Sequence, residues 1–141
     1  MDTIVVHSTV IPTLLQTVEA FCRVKSQVSA HFTIGKDGSI VENVSTFDRA
    51  WHAGVSKDKE GRTNLNNFSV GIELVNLNDG KDPYPEKQVL ALRYLILALK
   101  RRFPLKYVTS HEYIAVPHGR KSDPLGFPWG QLDGMDLELV H

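Results

Sequence analysis

Five short runs of apolar and β-branched residues, interrupted by two stretches of helical periodicity, constrain the fold of this chain more than any other feature. The first, residues 3–7, contains Ile4-Val5-Val6-His7 and reads as a buried strand. Ala30 to Ile34 and Ser39 to Val44 flank Gly35-Lys36-Asp37-Gly38, and Asp-Gly between apolar runs predicts a hairpin. Ser69 to Val75 and Tyr107 to Ser110 predict two further strands. Residues 12–25 read as a helix: Pro12 suits its first turn, and Leu14, Leu15, Val18, Phe21 and Cys22 recur at helical spacing. A longer helix opens at Pro85 and runs to about Phe103. Val89, Leu92, Leu95, Ile96 and Leu99 form its core stripe, and Lys100, Arg101 and Arg102 complement its carboxyl end. Strands that interleave with helices and include a hairpin predict an α/β fold, a central mixed β-sheet packed by helices. Residues 45–67, polar and containing Gly and Asn, predict a long surface loop, a length usually kept for function. Beyond Ser110, Pro117, Pro124 and Pro128 predict mostly loop.

The 141 residues predict one domain over 1–141, large enough for an ordinary core without disulfide staples. Sixteen basic residues cancel sixteen acidic ones, so no global field favours nucleic acid or anionic lipid, although a local patch stays open. Cys22 is the single cysteine; it can form no internal disulfide and reads as a buried, small apolar residue. Asp2 and the short run after it do not make a signal peptide, and Tyr94 to Leu99 is far shorter than a membrane span. The chain as encoded therefore reads as cytoplasmic and monomeric. A phage endolysin released by lysis, or export without a cleaved signal, is the alternative.

Three possible metal ligands stand far apart. His7 and His111 each close a β-branched stretch, where a strand hands a side chain to the rim of a sheet, and Asp123 lies in a loop bounded by Gly119 and Pro124. Two imidazoles and a carboxylate leave a fourth position open on tetrahedral zinc, the pattern of a hydrolytic rather than a structural site. Their spacing is not that of a helical motif, so only the fold can bring them together. Glu73 alternates with apolar neighbours in its strand and needs a partner or a polar site. Gly71 beside it permits close approach of another group. Lys121, two residues before Asp123, points the same way in an extended segment; it is either a solvated lysine or a group beside the metal. His31 is either a core histidine or lines the site, and Trp51 and His52 on the long loop are candidate substrate contacts.

Six collinear segments together resemble the zinc-dependent N-acetylmuramoyl-L-alanine amidases, which include phage amidases, a cytosolic anhydro-muropeptide amidase and the peptidoglycan recognition proteins. They are Val5 to Thr9, Ala30 to Gly38, Ala50 to Gly54, Asn66 to Leu74, Ser110 to Ala115 and Gly119 to Pro124. The resemblance implies zinc held by His7, His111 and Asp123 in a groove above the sheet, with Glu73 as the catalytic glutamate and Lys121 facing the scissile carbonyl. It implies peptidoglycan or muropeptide fragments as partners, with Arg49, Arg62 and Arg120 as candidates for the carboxylates of the stem peptide, since Arg suits bidentate carboxylate binding. Val116-Pro117-His118 lengthens one loop relative to the shortest family form, and Leu125 replaces a common glycine; both bear on substrate preference. Ala30 stands where many phage members carry a tyrosine, so the resemblance implies no tyrosine-assisted mechanism.

Two other functions fit parts of this pattern. A binding module of the same fold would hold muropeptide without cleaving it, but such modules lose a ligand and here all three positions are filled. A two-histidine phosphoesterase would use His7-Ser8-Thr9 and His31-Phe32-Thr33, both His-x-Thr, but these lie too close in sequence for pseudo-symmetric halves.

Overall fold

A computed structural model describes residues 1–22 and 28–141. Its strands are β1 (Thr3–Ser8), β2 (Phe32–Ile34), β3 (Ile40–Glu42), β4 (Ser69–Leu74), β5 (Tyr107–Ser110) and β6 (Glu138–Val140), and they form one sheet in the order β3-β2-β4-β1-β5-β6. Only the β2–β3 hairpin is antiparallel; the other neighbours run parallel. The mixed sheet expected from the sequence is present. The helices are α1 (Leu14–Cys22), α2 (Glu86–Lys100) and the short α3 (His111–Ile114).

Alternation along the central strands sorts the sheet into two faces. Ile4, Val6, Val70, Ile72, Leu74 and Val108 point to one, where Val89, Leu92, Ile96 and Leu99 of α2 cover them. Each such side chain contributes roughly 1.5–3 kcal/mol by leaving water. Gln88 ties the helix to the sheet: its buried Nε2 donates to Ile34 O at 3.0 Å and to Val75 O at 3.1 Å, pairing carbonyls at the ends of β2 and β4. At the β2–β3 turn Gly38 has φ +88°, the left-handed conformation that glycine adopts without penalty.

The opposite face is covered differently. Val5 packs with Ala53, Leu65 and Ile114 in a small apolar cluster, so the 45–67 segment is not the surface loop its composition predicts. Ala50, Ala53, Ser56, Leu65 and Asn66 are buried, and Asn66 Oδ1 accepts from the backbone N of His52 (3.1 Å) and Ala53 (2.8 Å). One buried amide thereby holds a polar stretch down on the sheet.

Three further expectations are corrected. Helix α1 does not bury the predicted stripe: Thr17 is its buried residue, Leu15 is 68% exposed and Cys22 is exposed. The helix starts as Thr13 Oγ1 accepts from Gln16 N at 3.2 Å, and it lies at the rim of a groove, where Ala20 and Phe21 form part of the wall instead of a core. Residues 23–25 of the expected helix lie outside the described residues. The C-terminal region, expected to be loop, supplies β6, an edge strand of three residues paired to β5 on one side. Among the described residues no helix is long and apolar enough to cross a membrane.

Candidate active site

Strand β1 carries His7 one position before its end, and parallel register sets Glu73 of β4 directly beside it. Strand β5 stops at Ser110, whose Oγ accepts from Tyr113 N at 3.0 Å and caps α3, so His111 is the first residue of that helix. Asp123 arrives on the loop beyond α3. Glu112 N donates to its backbone carbonyl at 2.9 Å, and Ser8 N donates to its Oδ2 at 3.3 Å. Asn78 secures this loop from both sides, its Nδ2 donating to Ser122 Oγ (3.0 Å) and its Oδ1 accepting from Leu125 N (2.7 Å).

The three residues predicted to be ligands converge. One ligand atom from each of His7, His111 and Asp123 lies within 4.8 Å of the others, and all three residues are buried. His7 Nδ1 is 3.5 Å from Asp123 Oδ2 and 3.9 Å from Glu73 Oε1, and His111 Nδ1 is 3.1 Å from Asp123 Oδ1. Burial, reinforced by His111 and opposed by Asp123, lowers the His7 pKa to about 4, so its imidazole is neutral at physiological pH. Burial alone would raise Asp123, but its neighbours His111 and His7 outweigh it and hold the carboxyl well below its usual range. Neutral imidazole and ionised carboxylate are the protonation states that bind a metal. Among the described residues, His111 Nε2 and Glu73 Oε2 are buried with no hydrogen-bond partner. Such orphaned atoms are costly unless something else meets them, and a set of two imidazoles and a carboxylate fits a divalent ion with open coordination positions.

Burial, together with repulsion from Asp123 and against the pull of Lys121, raises the Glu73 pKa to about 8. Proton affinities near working pH suit a general acid–base. Glu73, the three candidate ligands and the exposed Lys121 line one groove of about 530 Å³, whose apolar wall includes Val10, Ile11, Phe21, Val28 and Trp51.

The other candidates divide. Trp51 is 56% exposed on the groove wall, with the Arg49 guanidinium 5.2 Å above its ring. Arg120 also lines the groove, but its Nη2 donates to Ala53 O and Val55 O and its Nε to Val116 O, so much of its hydrogen-bonding capacity clamps loops together. Arg62 is not in the groove; Asp2 and Asp58 hold its guanidinium, and it stacks 4.3 Å from Phe68. His31 does not line the groove either. It is fully buried, its Nδ1 accepts from Gly71 N (3.1 Å) and its Nε2 donates to Asp48 O (2.9 Å). With both nitrogens committed to backbone it cannot act as the second histidine of a phosphoesterase. His52 is only 6% exposed, its ring nitrogens 3.0 Å from His7 Nε2 and 3.1 Å from Ser69 Oγ, and so it has no free nitrogen for a substrate. Asn66 and Asn78 were not anticipated: their work is to hold loops, and no local pattern separates such an Asn from a solvated one. Tyr84, whose hydroxyl meets Ser8 Oγ at 2.6 Å, was missed for the same reason.

Comparisons with known proteins agree with this geometry. The family described as N-acetylmuramoyl-L-alanine amidase matches residues 1–126. The 1,6-anhydro-N-acetylmuramyl-L-alanine amidase of Citrobacter freundii is 42% identical over 120 residues, covering 82% of this chain and 60% of that protein. The N-acetylmuramyl-L-alanine amidase AmiD from E. coli, solved with anhydro-N-acetylmuramic acid-L-Ala-D-γ-Glu-L-Lys, matches with a TM-score of 0.86 at 29% identity, covering 97% of this chain and 58% of that one. AmpDh3 from Pseudomonas aeruginosa, solved with anhydromuramic pentapeptide, gives 0.78 at 32% identity, covering 97% and 60%. The chain thus spans about three fifths of the length of these relatives.

Proposed function

The chain belongs to the N-acetylmuramoyl-L-alanine amidase family, and from that membership we propose that it is a zinc-dependent amidase acting on muropeptides. The bond cleaved is the amide between the lactyl group of N-acetylmuramic acid, in its 1,6-anhydro form, and the L-alanine that begins the stem peptide. The observation that carries the reading is the meeting of His7, His111 and Asp123 beside Glu73 in one groove. The relatives crystallised with anhydro-muropeptides support the anhydro form.

His7, His111 and Asp123 would hold the ion. Zinc, when bound, supplies Lewis acidity that polarises a carbonyl and makes a water nucleophilic near neutral pH. Glu73, whose Oε2 has no hydrogen-bond partner among the described residues, accepts a proton from the attacking water. The water oxygen adds to the carbonyl carbon, and the ammonium of Lys121 donates to the developing oxyanion. When the C–N bond breaks, Glu73 returns its proton to the departing amine of L-alanine, leaving a lactyl carboxylic acid and a free stem peptide. The apolar wall of Val10, Ile11 and Trp51 excludes water from the lactyl and alanyl methyl groups. Arg49 and Arg120 stand near the groove to meet the stem carboxylates. A neutral overall charge suits a small fragment better than adhesion to an intact wall.

The test is digestion of anhydro-muropeptides and of purified sacculi by the protein, with metal content measured and products identified by mass. Release of intact stem peptide from the anhydro-muropeptide by zinc-loaded protein is expected. A protein that binds the fragment and leaves the amide whole would be a binding module instead.

A further inference from the structure

We propose that His52 and Ser69 are positioning residues that fix the proton of His7 on Nε2 and turn its Nδ1 lone pair toward Asp123 and Glu73. The polarity originates at a backbone carbonyl. Ser69 Oγ lies 2.6 Å from Leu65 O, and a carbonyl oxygen only accepts, so the serine hydroxyl spends its one proton there. Toward His52 Nε2, 3.1 Å away, the same oxygen can then only accept, which places the His52 proton on Nε2. A neutral imidazole carries one proton, so His52 Nδ1 is bare. Facing it at 3.0 Å is His7 Nε2, which must be the donor. Three successive hydrogen bonds thus carry the polarity of one peptide carbonyl to His7. What remains on His7 is an unprotonated Nδ1, 3.5 Å from Asp123 Oδ2 and 3.9 Å from Glu73 Oε1. Reversing the chain would set the serine oxygen's lone pairs against the carbonyl's at 2.6 Å, in a site with no water-facing exit, since Ser69 is fully buried.

The strand register makes room for this chain. On β4, Ser69, Gly71 and Glu73 share a face, and across from them on β1 stand Thr3, Val5 and His7. The His52 ring lies over Gly71, between Ser69 and His7. A Cβ built on Gly71 would come within 2.5 Å of His52 Cγ, although the backbone there does not require glycine for its φ. The close approach that Gly71 permits is therefore that of His52. Partners of this kind orient ligand histidines and are worth about 10–100-fold in metal affinity.

The consequence for affinity rests on the metal-site reading above; the proton positions do not. The deciding measurement is long-range 15N–1H NMR of the metal-free protein with 15N-labelled histidine. His7 and His52 should each show a protonated Nε2 and a bare Nδ1. A proton on His7 Nδ1 overturns the proposal, whatever the protein does with zinc. Conversely, correct proton positions in a protein that binds no zinc would end the amidase reading alone. In a second arm, Ser69→Ala frees His52 to take either tautomer, and chelator competition should show zinc affinity about 10–100-fold weaker. Ser69→Thr, which keeps the hydroxyl, should recover it. Gly71→Ala keeps every polar group but displaces the ring, and should weaken zinc similarly. Unchanged zinc affinity in folded Ser69→Ala overturns the proposal, and if that variant does not fold the wild-type spectrum still decides.

Discussion

The two faces of the sheet are made from the same strands and obey opposite rules. On the face beneath α2, Ile4 and Val6 of β1 and Val70, Ile72 and Leu74 of β4 are branched aliphatics, and the packing asks only for shape and volume. On the other, the alternate positions of those strands hold Thr3, Val5, His7, Ser69, Gly71 and Glu73, all buried and, apart from Val5 and the glycine, all polar. His7 and Ser69 are each held by a particular neighbour at a particular distance. An aliphatic core degrades gradually as atoms are lost, whereas a buried polar face fails at the single group whose partner is removed. Stability and chemistry are thereby assigned to opposite sides of one sheet only a few ångströms thick.

Four substitutions can break or sharpen this contrast. The largest effect is expected at Glu73. Glu73→Gln should lower kcat by about 10³–10⁴ while retaining zinc, the upper part of the range for a proton-transfer group; near-normal turnover would move the base elsewhere. Next, Lys121→Ala should keep zinc and lose about 10²–10³ in kcat, the worth of one oxyanion donor. Substrate affinity lost with kcat intact would make Lys121 a binding residue. On the aliphatic face, Ile72→Ala should cost about 2–5 kcal/mol in denaturant unfolding and Ile72→Val about 0.5–1.5. Neither should alter zinc affinity in the folded protein; a change there would mean that the two faces are coupled through the strand.

The smallest effect concerns pH. In the metal-free protein Glu73 has its pKa raised from 4.5 to about 8. Between those values the folded state keeps a proton that the unfolded chain has released, so stability falls as pH rises through this window. Glutamine cannot ionise. Metal-free Glu73→Gln should therefore be the more stable protein at about pH 9, by on the order of 1–3 kcal/mol, with the gain vanishing near pH 4. The burial of His7 acts in the other sense: its pKa is lowered from 6.5 to about 4, so the contribution of the neutral ring is present above 6.5 and lost as pH falls toward 4. A glutamine variant whose thermal unfolding tracks the parent at every pH would show that Glu73 carries no such penalty.

The aliphatic face was legible in the sequence because a period of two in β1 and β4, and of about 3.6 in α2, is a local signal. The candidate ligands were visible as strand-end histidines and a loop carboxylate, but their convergence needed six segments in order or the fold itself. What composition hid was the covering of the polar face. A stretch such as Ala50 to Asn66 looks like surface loop because its buried backbone is paired by side chains such as Asn66, which have no periodic signature. Gly71 announced that something comes close without saying what. Arg62 looked available because its acidic partners include Asp2, sixty residues away in sequence. Cys22 read as core because helical spacing names a stripe but not whether anything covers it.

The first strand of the chain sits between β4 and β5, whose residues come more than sixty positions later. During synthesis His7 emerges before its partners and must wait for residues 69–74, then 107–110, and finally Asp123. Closing loops of that length precedes any reward from pairing, which makes assembly of the sheet's middle the slow step. No growing chain that stops short of Asp123 can offer the full set of candidate ligands, so capture of the proposed ion would be deferred until the sheet's central strands are all made. Metal uptake during refolding would therefore serve as a clock for the last stage of folding.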